Sequence, residues 1–349
     1  MVCTRTNKTP LIIFFFTARL PVSLPEMFAA GFCLNRPTHN DAPWEGKYSE
    51  TYEACVQGLQ QLKARVRIAR DTIGETAWRN ATHQPPPPWE TPTQHPISRA
   101  YYKLWEMLRV CSIEVDVDTQ MTLHLCEAPG GFVQACLDTF GRSLNWYACS
   151  LRSEQGGPKF SPRLDAQRVC VDSSRSNLLD ETHRTALVSH LRERGCGTYA
   201  LVTADGAAPM DHDHLEETAA PLLAAQIAVA LAVLAQGGSL VVKFFEGCRF
   251  ETCQLLYRAA MDFEDVTIIK PTHSRPTNSE IYFVGCGFCA HSSSDESDAP
   301  MTPSGAWTQE YLNTISTLCR KQSSALGDAL LRVSHRPSRG STGKRRLPS

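Results

Sequence analysis

The stretch Leu123-His124-Leu125-Cys126-Glu127-Ala128-Pro129-Gly130-Gly131-Phe132 decides how the rest of the chain is read. An apolar run of strand character enters a turn with two adjacent glycines, and helix-like sequence begins at once. Glycine lets backbone approach a ligand closely, and a helix N-terminus offers free N–H groups. A loop of this kind lies at the carboxyl end of a sheet strand, where open α/β sheets bind ligands. The plain alternative is a tight strand–helix turn with no ligand. The G-x-G-x-x-G spacing of a dinucleotide loop is absent, which sets a nicotinamide-dependent dehydrogenase aside.

Outward from this loop, apolar strand-like runs alternate with helix-like segments. The strand candidates are 121–126, 145–150, 168–172, 199–204, 239–244, 265–270 and 280–286. Helices are expected over 98–110, 131–140, 180–194, 215–236 and 249–262, with Gly237-Gly238 ending the long Ala/Leu/Val-rich one. Alternation of this kind predicts a doubly wound, mainly parallel sheet. Only the loop 271–279 separates the last two strands, too short for a parallel crossover, so the last strand is expected to be antiparallel.

The flanks have a different texture. Residues 48–73 read as an amphipathic helix, with Tyr52, Cys55, Val56, Leu59, Leu62, Val66, Ala69 and Ile73 at three- and four-residue steps. Its basic residues Lys63, Arg65, Arg67 and Arg70 read by default as a solvated face, with an RNA-facing role as the lesser alternative. Pro85–Pro88 reads as a stiff linker. After residue 290 a Ser-, Asp- and Pro-rich stretch precedes one helix at 307–333 and a basic, disordered tail. The expected organisation is therefore a poorly ordered segment 1–47, a helical extension and linker 48–95, a catalytic domain 96–290 and a C-terminal flank 291–349.

Composition narrows the class. With 349 residues, 42% hydrophobic, and a net charge of −1, the chain is globular and carries no global signal for a nucleic-acid partner. The 14 scattered cysteines read as free thiols in a reducing, intracellular compartment, nucleus or cytoplasm. Cys286 and Cys289 lack a second ligand pair and read as a strand end; Asp211-His212-Asp213-His214 reads as a helix cap, so no metal is expected. The apolar run 11–16 falls far below the ~20 residues that span a bilayer, and no membrane partner is expected. Met27 is an alternative start, and the sequons at Asn7 and Asn80 matter only in a secreted protein.

Four polar residues stand out together. Lys103 lies on the helix before the glycine loop, Asp205 ends the apolar run at 199–204, Lys243 ends Ser239-Leu240-Val241-Val242-Lys243, and Glu280 opens the last strand. Burying an ammonium is costly unless it is paired. Singly, each would read as part of a structural ion pair, Lys243 with Asp205 above all. Four at compatible edge positions point to catalysis.

These pieces resemble the FtsJ-like (RrmJ-type) RNA ribose 2′-O-methyltransferases, especially the cap-specific, Adrift-type branch. The resemblance covers about 96–290 and rests on Ser98–Leu104, Leu-Cys-Glu-Ala-Pro-Gly-Gly-Phe at 125–132, Ala-Asp-Gly at 204–206, Leu-Val-Val-Lys-Phe-Phe at 240–245 and Ser-Arg-Pro-Thr-Asn-Ser-Glu at 274–280. It implies a Rossmann-like methyltransferase fold: seven strands, mainly parallel, the last antiparallel, with helices on both faces. It implies S-adenosylmethionine as cofactor, held by Glu127, Pro129, Gly130, Gly131, Phe132, Ser150, Asp172 and Asp205. It places the family's catalytic Lys-Asp-Lys-Glu tetrad on Lys103, Asp205, Lys243 and Glu280. Gly206 after the aspartate looks like the cap-directed branch. Ser150 stands where an acid often holds the cofactor ribose, which leaves that contact unassigned.

The implied partner is RNA, capped mRNA first, methylated at its first or second nucleotide. A ribosomal or transfer RNA methyltransferase and a catalytically silent RNA-binding subunit are the competing readings. Arg99 and Arg275 are the expected phosphate contacts, with Arg152, Lys159 and Arg163 as further candidates. Lys243 is expected either to take the 2′-hydroxyl proton, its pKa lowered by burial and Lys103, or to steer the oxygen while charged.

Overall fold

The computed structural model describes residues 31–35, 37, 46–82, 93, 95–170, 172, 174–195, 199–207, 214–289 and 302–334. In chain order the elements are β1 (Gly31–Leu34), α1 (Glu50–Ile73), α2 (Glu75–Thr82), α3 (Ala100–Val110), β2 (Met121–Leu125), α4 (Gly131–Phe140), β3 (Asn145–Cys149), β4 (Val169–Cys170) and α5 (Glu181–Gly195). Then follow β5 (Tyr199–Ala204), α6 (Leu215–Val233), β6 (Leu234–Phe245), α7 (Phe250–Ala260), β7 (Phe263–Ile269), β8 (Glu280–Phe288) and α8 (Gly305–Ser334). One sheet runs β1-β7-β8-β6-β5-β2-β3-β4. Strands β4, β3, β2, β5 and β6 pair in parallel, and β8 inserts antiparallel between β6 and β7, as the short preceding loop requires.

Strand periodicity sorts the side chains into two layers. Leu123, Leu125, Val202, Ala204, Leu240, Val242, Ile281 and Phe283 join the larger core, with α5, α6, α7 and α8. Leu201, Val241, Tyr282 and Val284 turn to the other face and pack under α3 and α4. By length and composition α6 resembles a membrane span, but ten of its residues, among them Leu223, Ile227 and Val233, are buried in this protein's own core.

Three features depart from the expected pattern. The sheet has eight strands, not seven, because Gly31–Leu34 pairs antiparallel with β7 and buries Leu34. Four residues are too few to show a period, and backbone pairing along an open edge makes the strand. Second, α6 ends at Val233, and Gly237-Gly238 lie inside β6, where the register to β5 jumps from Leu234 to Ser239. Gly237 has φ 76°, so it serves a bulge and not a helix cap. Third, β4 stops at Cys170, so Asp172 follows the strand and does not close it. The Pro85–Pro88 linker, Asp211–Asp213, the apolar run 11–16 and the basic tail lie outside the described residues.

The flanking helices are part of the main core. Along α8, Trp307, Tyr311 and Ile315 are at most 2% exposed; Trp307 stacks on Tyr311 at 5.3 Å and meets Tyr257 of α7 edge-on at 5.2 Å. Tyr311 donates a hydrogen bond to Gly247 O (2.9 Å), and Tyr52 of α1 donates to Cys248 O (2.9 Å). Helix α1 packs along α8, so both flanks are fastened to the turn after β6. Ser49 caps α1 through Tyr52 N, and Gly74, at φ 85°, breaks it from α2. The twelve cysteines described are free thiols. Trp307→Ala is expected to cost about 3–5 kcal/mol by opening a cavity between α7 and α8. A urea unfolding midpoint that does not move would contradict this.

Candidate active site

Register delivers the polar residues. In the antiparallel β6–β8 pair, Lys243 faces Tyr282 and Phe245 faces Glu280. Phe245 packs against Leu215 and Ala219 of α6, while Lys243 and Tyr282 lie on the α3/α4 side at the carboxyl end of β6. Lys103 descends on them from α3, and Asp205 follows β5 next door. Lys103 Nζ lies 2.8 Å from Glu280 Oε1, and Lys243 Nζ 3.0 Å from Asp205 Oδ1. Lys243 also donates to Asp205 O at 2.8 Å. The four side chains are between 7% and 17% exposed.

Tyr282 closes the ring. Its hydroxyl donates to Asp205 Oδ1 (2.8 Å) and accepts from Lys103 Nζ (3.4 Å), so it links the two ion pairs. Sequence reasoning did not single it out. The available signal was position: Tyr282 is two residues beyond Glu280 on one strand, hence on the same face.

Of the two alternatives open for Lys243, the electrostatics favour the charged one. Burial pushes its pKa down, but Asp205 and then Glu280 push it up and outweigh burial, so the net direction is upward. Lys103, expected to push it down, is paired with Glu280. Glu280 is raised by burial, yet Lys103 and Lys243 pull its carboxyl down to about 2. Ser274 also donates a short hydrogen bond to it.

The loop carrying Glu280 is clamped at both ends by residues the sequence did not single out. Buried Glu106 accepts from Thr272 N (2.9 Å) and Thr272 Oγ1 (2.9 Å) and contacts His273 Nδ1 (3.2 Å). Lys270, its pKa lowered to about 8 by burial, donates to Asn278 O (2.8 Å), Asn278 Oδ1 (3.0 Å) and Glu280 O (2.9 Å). Arg99 donates to His273 O at 3.0 Å. Its pKa is lowered by burial first and then by Arg275, so two guanidiniums share one edge of the site.

The glycine loop has its own internal architecture. The buried Glu127 carboxylate turns inward and accepts from Phe132 N (2.7 Å) and Val133 N (3.1 Å), capping α4. Burial pushes it up to about 8, and nearby Asp205 adds to the rise. A Cβ on Gly130 would lie 2.2 Å from Leu164 Cδ1, and one on Gly131 would lie 2.3 Å from Ser98 Oγ. The close approach that demands glycine here is to the protein itself. Pro129 O accepts from Ser161 N (3.0 Å), Phe132 is fully buried under α3, and Ser150 is buried after β3. Asp172 accepts from Ser174 N (2.7 Å), Ser174 Oγ (2.6 Å) and Arg175 Nη2 (2.8 Å), all of which hold its pKa low. It caps its own turn. Gly206 is held by Gln226, whose Oε1 accepts Gly206 N at 3.0 Å.

A cleft of about 660 Å³ opens over Lys103, Lys243 and Glu280, and Arg99 and Arg275 line it as expected. Arg152, Lys159 and Arg163 do not line it: Arg152 pairs with Glu154, and Arg163 donates to His95 O. Of the aromatic residues near the motifs, Tyr101, Trp105 and Phe244 are core, Tyr102 stacks on His273, and Phe245 reaches the cleft. No metal-binding cluster occurs among the described residues.

The family model for FtsJ-like methyltransferases matches residues 96–288, and the chain belongs to that family. It is similar to the cap-specific mRNA (nucleoside-2′-O-)-methyltransferase 2 of Drosophila melanogaster, 28% identical over 314 residues, covering 80% of this chain and 44% of that protein. The proteins of the same name from Danio rerio and Mus musculus are each 31% identical, over 206 and 185 residues, covering 54% and 47% of this chain and 28% and 23% of theirs. The chain thus spans less than half the length of these curated relatives.

The Glu280 pKa fixes a pH window. The unfolded chain binds this proton near its ordinary value of 4.5, the folded chain only near about 2. The stabilisation is complete above 4.5 and is lost as pH falls toward 2. Glu280→Gln is expected to be less stable at neutral pH and to lose less stability than wild type on acidification. Parallel urea-midpoint profiles for the two proteins would contradict the assignment.

Proposed function

We propose that this chain transfers a methyl group from S-adenosylmethionine to a ribose 2′-hydroxyl of RNA, at a cap-proximal nucleotide of mRNA. The observation that carries the reading is the ring of Lys103, Glu280, Tyr282, Asp205 and Lys243 at the carboxyl edge of the sheet, beside the glycine loop and beneath a basic cleft. Family membership and the names of the relatives support the choice of RNA and of the cap-proximal position. Such a substrate places the protein inside the cell.

The residues present suit the cofactor. Glu127 and Asp205 are acidic groups close enough for Asp205 to raise the Glu127 pKa, and a cationic ligand beside them would favour the ionised form of both. Ser98 Oγ, beside Gly131, is buried without a partner, a polar group left for a ligand. Glu127, Pro129, Gly130, Gly131 and Ser150 would form the floor of the site, with Phe132 supporting it from the core. Asp172 would offer a carboxylate edge beyond β3. When bound, S-adenosylmethionine supplies an activated methyl group.

The protein's task is then alignment and removal of one proton. Lys243 sits where the 2′-oxygen must arrive, and Asp205 and Tyr282 fix the direction of its Nζ. In the resting protein it is an ammonium, suited to hold the 2′-oxygen by a charge-assisted hydrogen bond. It takes the 2′-proton only after releasing its own. Glu280 neutralises Lys103 and sets its position, and Arg99 and Arg275 hold phosphates beside the target ribose.

Lys243→Ala is expected to abolish methyl transfer from labelled cofactor while cofactor binding stays within a few-fold of wild type. Wild type assayed on capped and uncapped transcripts of one sequence is expected to prefer the capped RNA; equal rates would reject the cap assignment, and no transfer to any RNA would leave a silent binding subunit. Tyr282→Phe keeps the aromatic side chain but removes the hydroxyl that bonds Asp205. A loss of about tenfold in kcat, worth ~1.4 kcal/mol, with little change in KM is expected in single-substrate kinetics.

A further inference from the structure

Eight cationic side chains and only two carboxylates line the cleft above the tetrad, in a chain whose net charge is −1. Four of the cations, Lys63, Arg67, Arg70 and Arg79, come from α1 and α2, outside the stretch 96–288 that defines the family. Lys63, Arg67 and Arg70 stand at i, i+4 and i+7, so one face of α1 carries charge for about 10 Å along the cleft. Arg99 and Arg275 line the same cleft from the sheet domain.

This row is held in place. Lys63 forms a short ion pair with Glu246, next to the β6 terminus that carries Lys243. Tyr52 ties α1 to Cys248 O, and Gln322 and Leu326 of α8 reach the cleft lining. Arg79 and Glu75, which pair at 2.7 Å, are 64% and 53% exposed, so solvent already weakens that bond and exchange for another anion is easy. A single small anion needs one or two cations; a row of four facing two more suits a chain of phosphates.

We infer that the helical extension supplies a second wall of the substrate cleft, in which Lys63, Arg67, Arg70 and Arg79 bind consecutive phosphates of the RNA strand next to the target ribose. The inference rests on the RNA reading above and extends it to Arg79 and to Lys63, Arg67 and Arg70, whose default reading from sequence is a solvated face. Two sources present such phosphates: the triphosphate bridge of a 5′ cap, and the phosphodiesters that follow it.

The test uses the full chain and a fluorescent single-stranded RNA, prepared with a 5′ cap or with a 5′-hydroxyl. Arg67→Glu combined with Arg79→Glu changes only exposed side chains. It is expected to weaken RNA binding at least tenfold and to flatten log Kd against log salt by about 0.7 for each phosphate no longer neutralised. KM for RNA should rise far more than kcat falls. Arg65→Glu combined with Arg258→Glu, both exposed and outside the cleft, makes the same change in net charge and should change neither quantity. Weakening confined to capped RNA assigns the triphosphate bridge; equal weakening on both RNAs assigns the phosphodiesters. Equal weakening by the Arg65/Arg258 variant, or an unchanged salt slope in a folded Arg67/Arg79 double variant, overturns the inference. If wild type binds RNA and the double variant does not, yet neither transfers a methyl group, the wall stands and the proposed reaction fails. If wild type transfers methyl groups and the double variant matches it, the reaction stands and the wall fails.

Discussion

Lys243 keeps an ammonium where only 7% of its side chain reaches solvent, and the surrounding structure is arranged around that charge. Desolvating an ion costs several kcal/mol unless partners replace the lost water. Here Asp205 replaces it with both a carboxylate oxygen and a carbonyl, and Tyr282 aligns the carboxylate. Lys103 and Glu280 form the second pair of the same ring. Two cations and two carboxylates balance, so the cluster tolerates burial as a unit, and removing any member leaves a charge without its partner. The antiparallel register of β6 and β8, the buried Lys270 and Glu106 that clamp the loop before β8, and the approach of α3 over the sheet together bring the members of this ring into contact.

Charge also explains the flanks. The chain is near neutral, yet its cleft is strongly basic, because α1 and α2 bring cations to an edge that already carries Arg99 and Arg275. They can do so only because α8, with Trp307 and Tyr311 sunk into the main core, gives α1 a fixed surface to lie on. The extension and the C-terminal helix are thus one unit, and the site is shaped by both.

The glycine loop shows how one pattern serves two masters. Gly130 and Gly131 were legible as a ligand loop, yet their Cβ positions face Leu164 and Ser98, atoms of the protein itself. Glu127, read as a cofactor contact, commits its carboxylate to the first turn of α4. Close packing of loop, helix and neighbouring segment prepares the surface a ligand would meet. Gly206 after Asp205 likewise has a local cause in Gln226.

Sequence alone determined the alternation of strand and helix, the antiparallel last strand and the four charged residues that form the two ion pairs. Those signals are local: apolar period, loop length, and a charged residue ending a buried run. Tertiary structure decided the rest. Tyr282 is indistinguishable from a core aromatic until register sets it opposite Lys243. The bulge at Gly237 and the edge strand at 31–34 depend on neighbouring strands, and no period within their own few residues announces them. Sequence left the direction of the Lys243 pKa open because it sums burial with the charges of Asp205 and Glu280 from two separate segments, and distance in space, absent from a sequence, sets each contribution. The basic face of α1 read as solvated for the same reason: a helix carries its charges in sequence, but what lies across the cleft is settled only when the chain has folded.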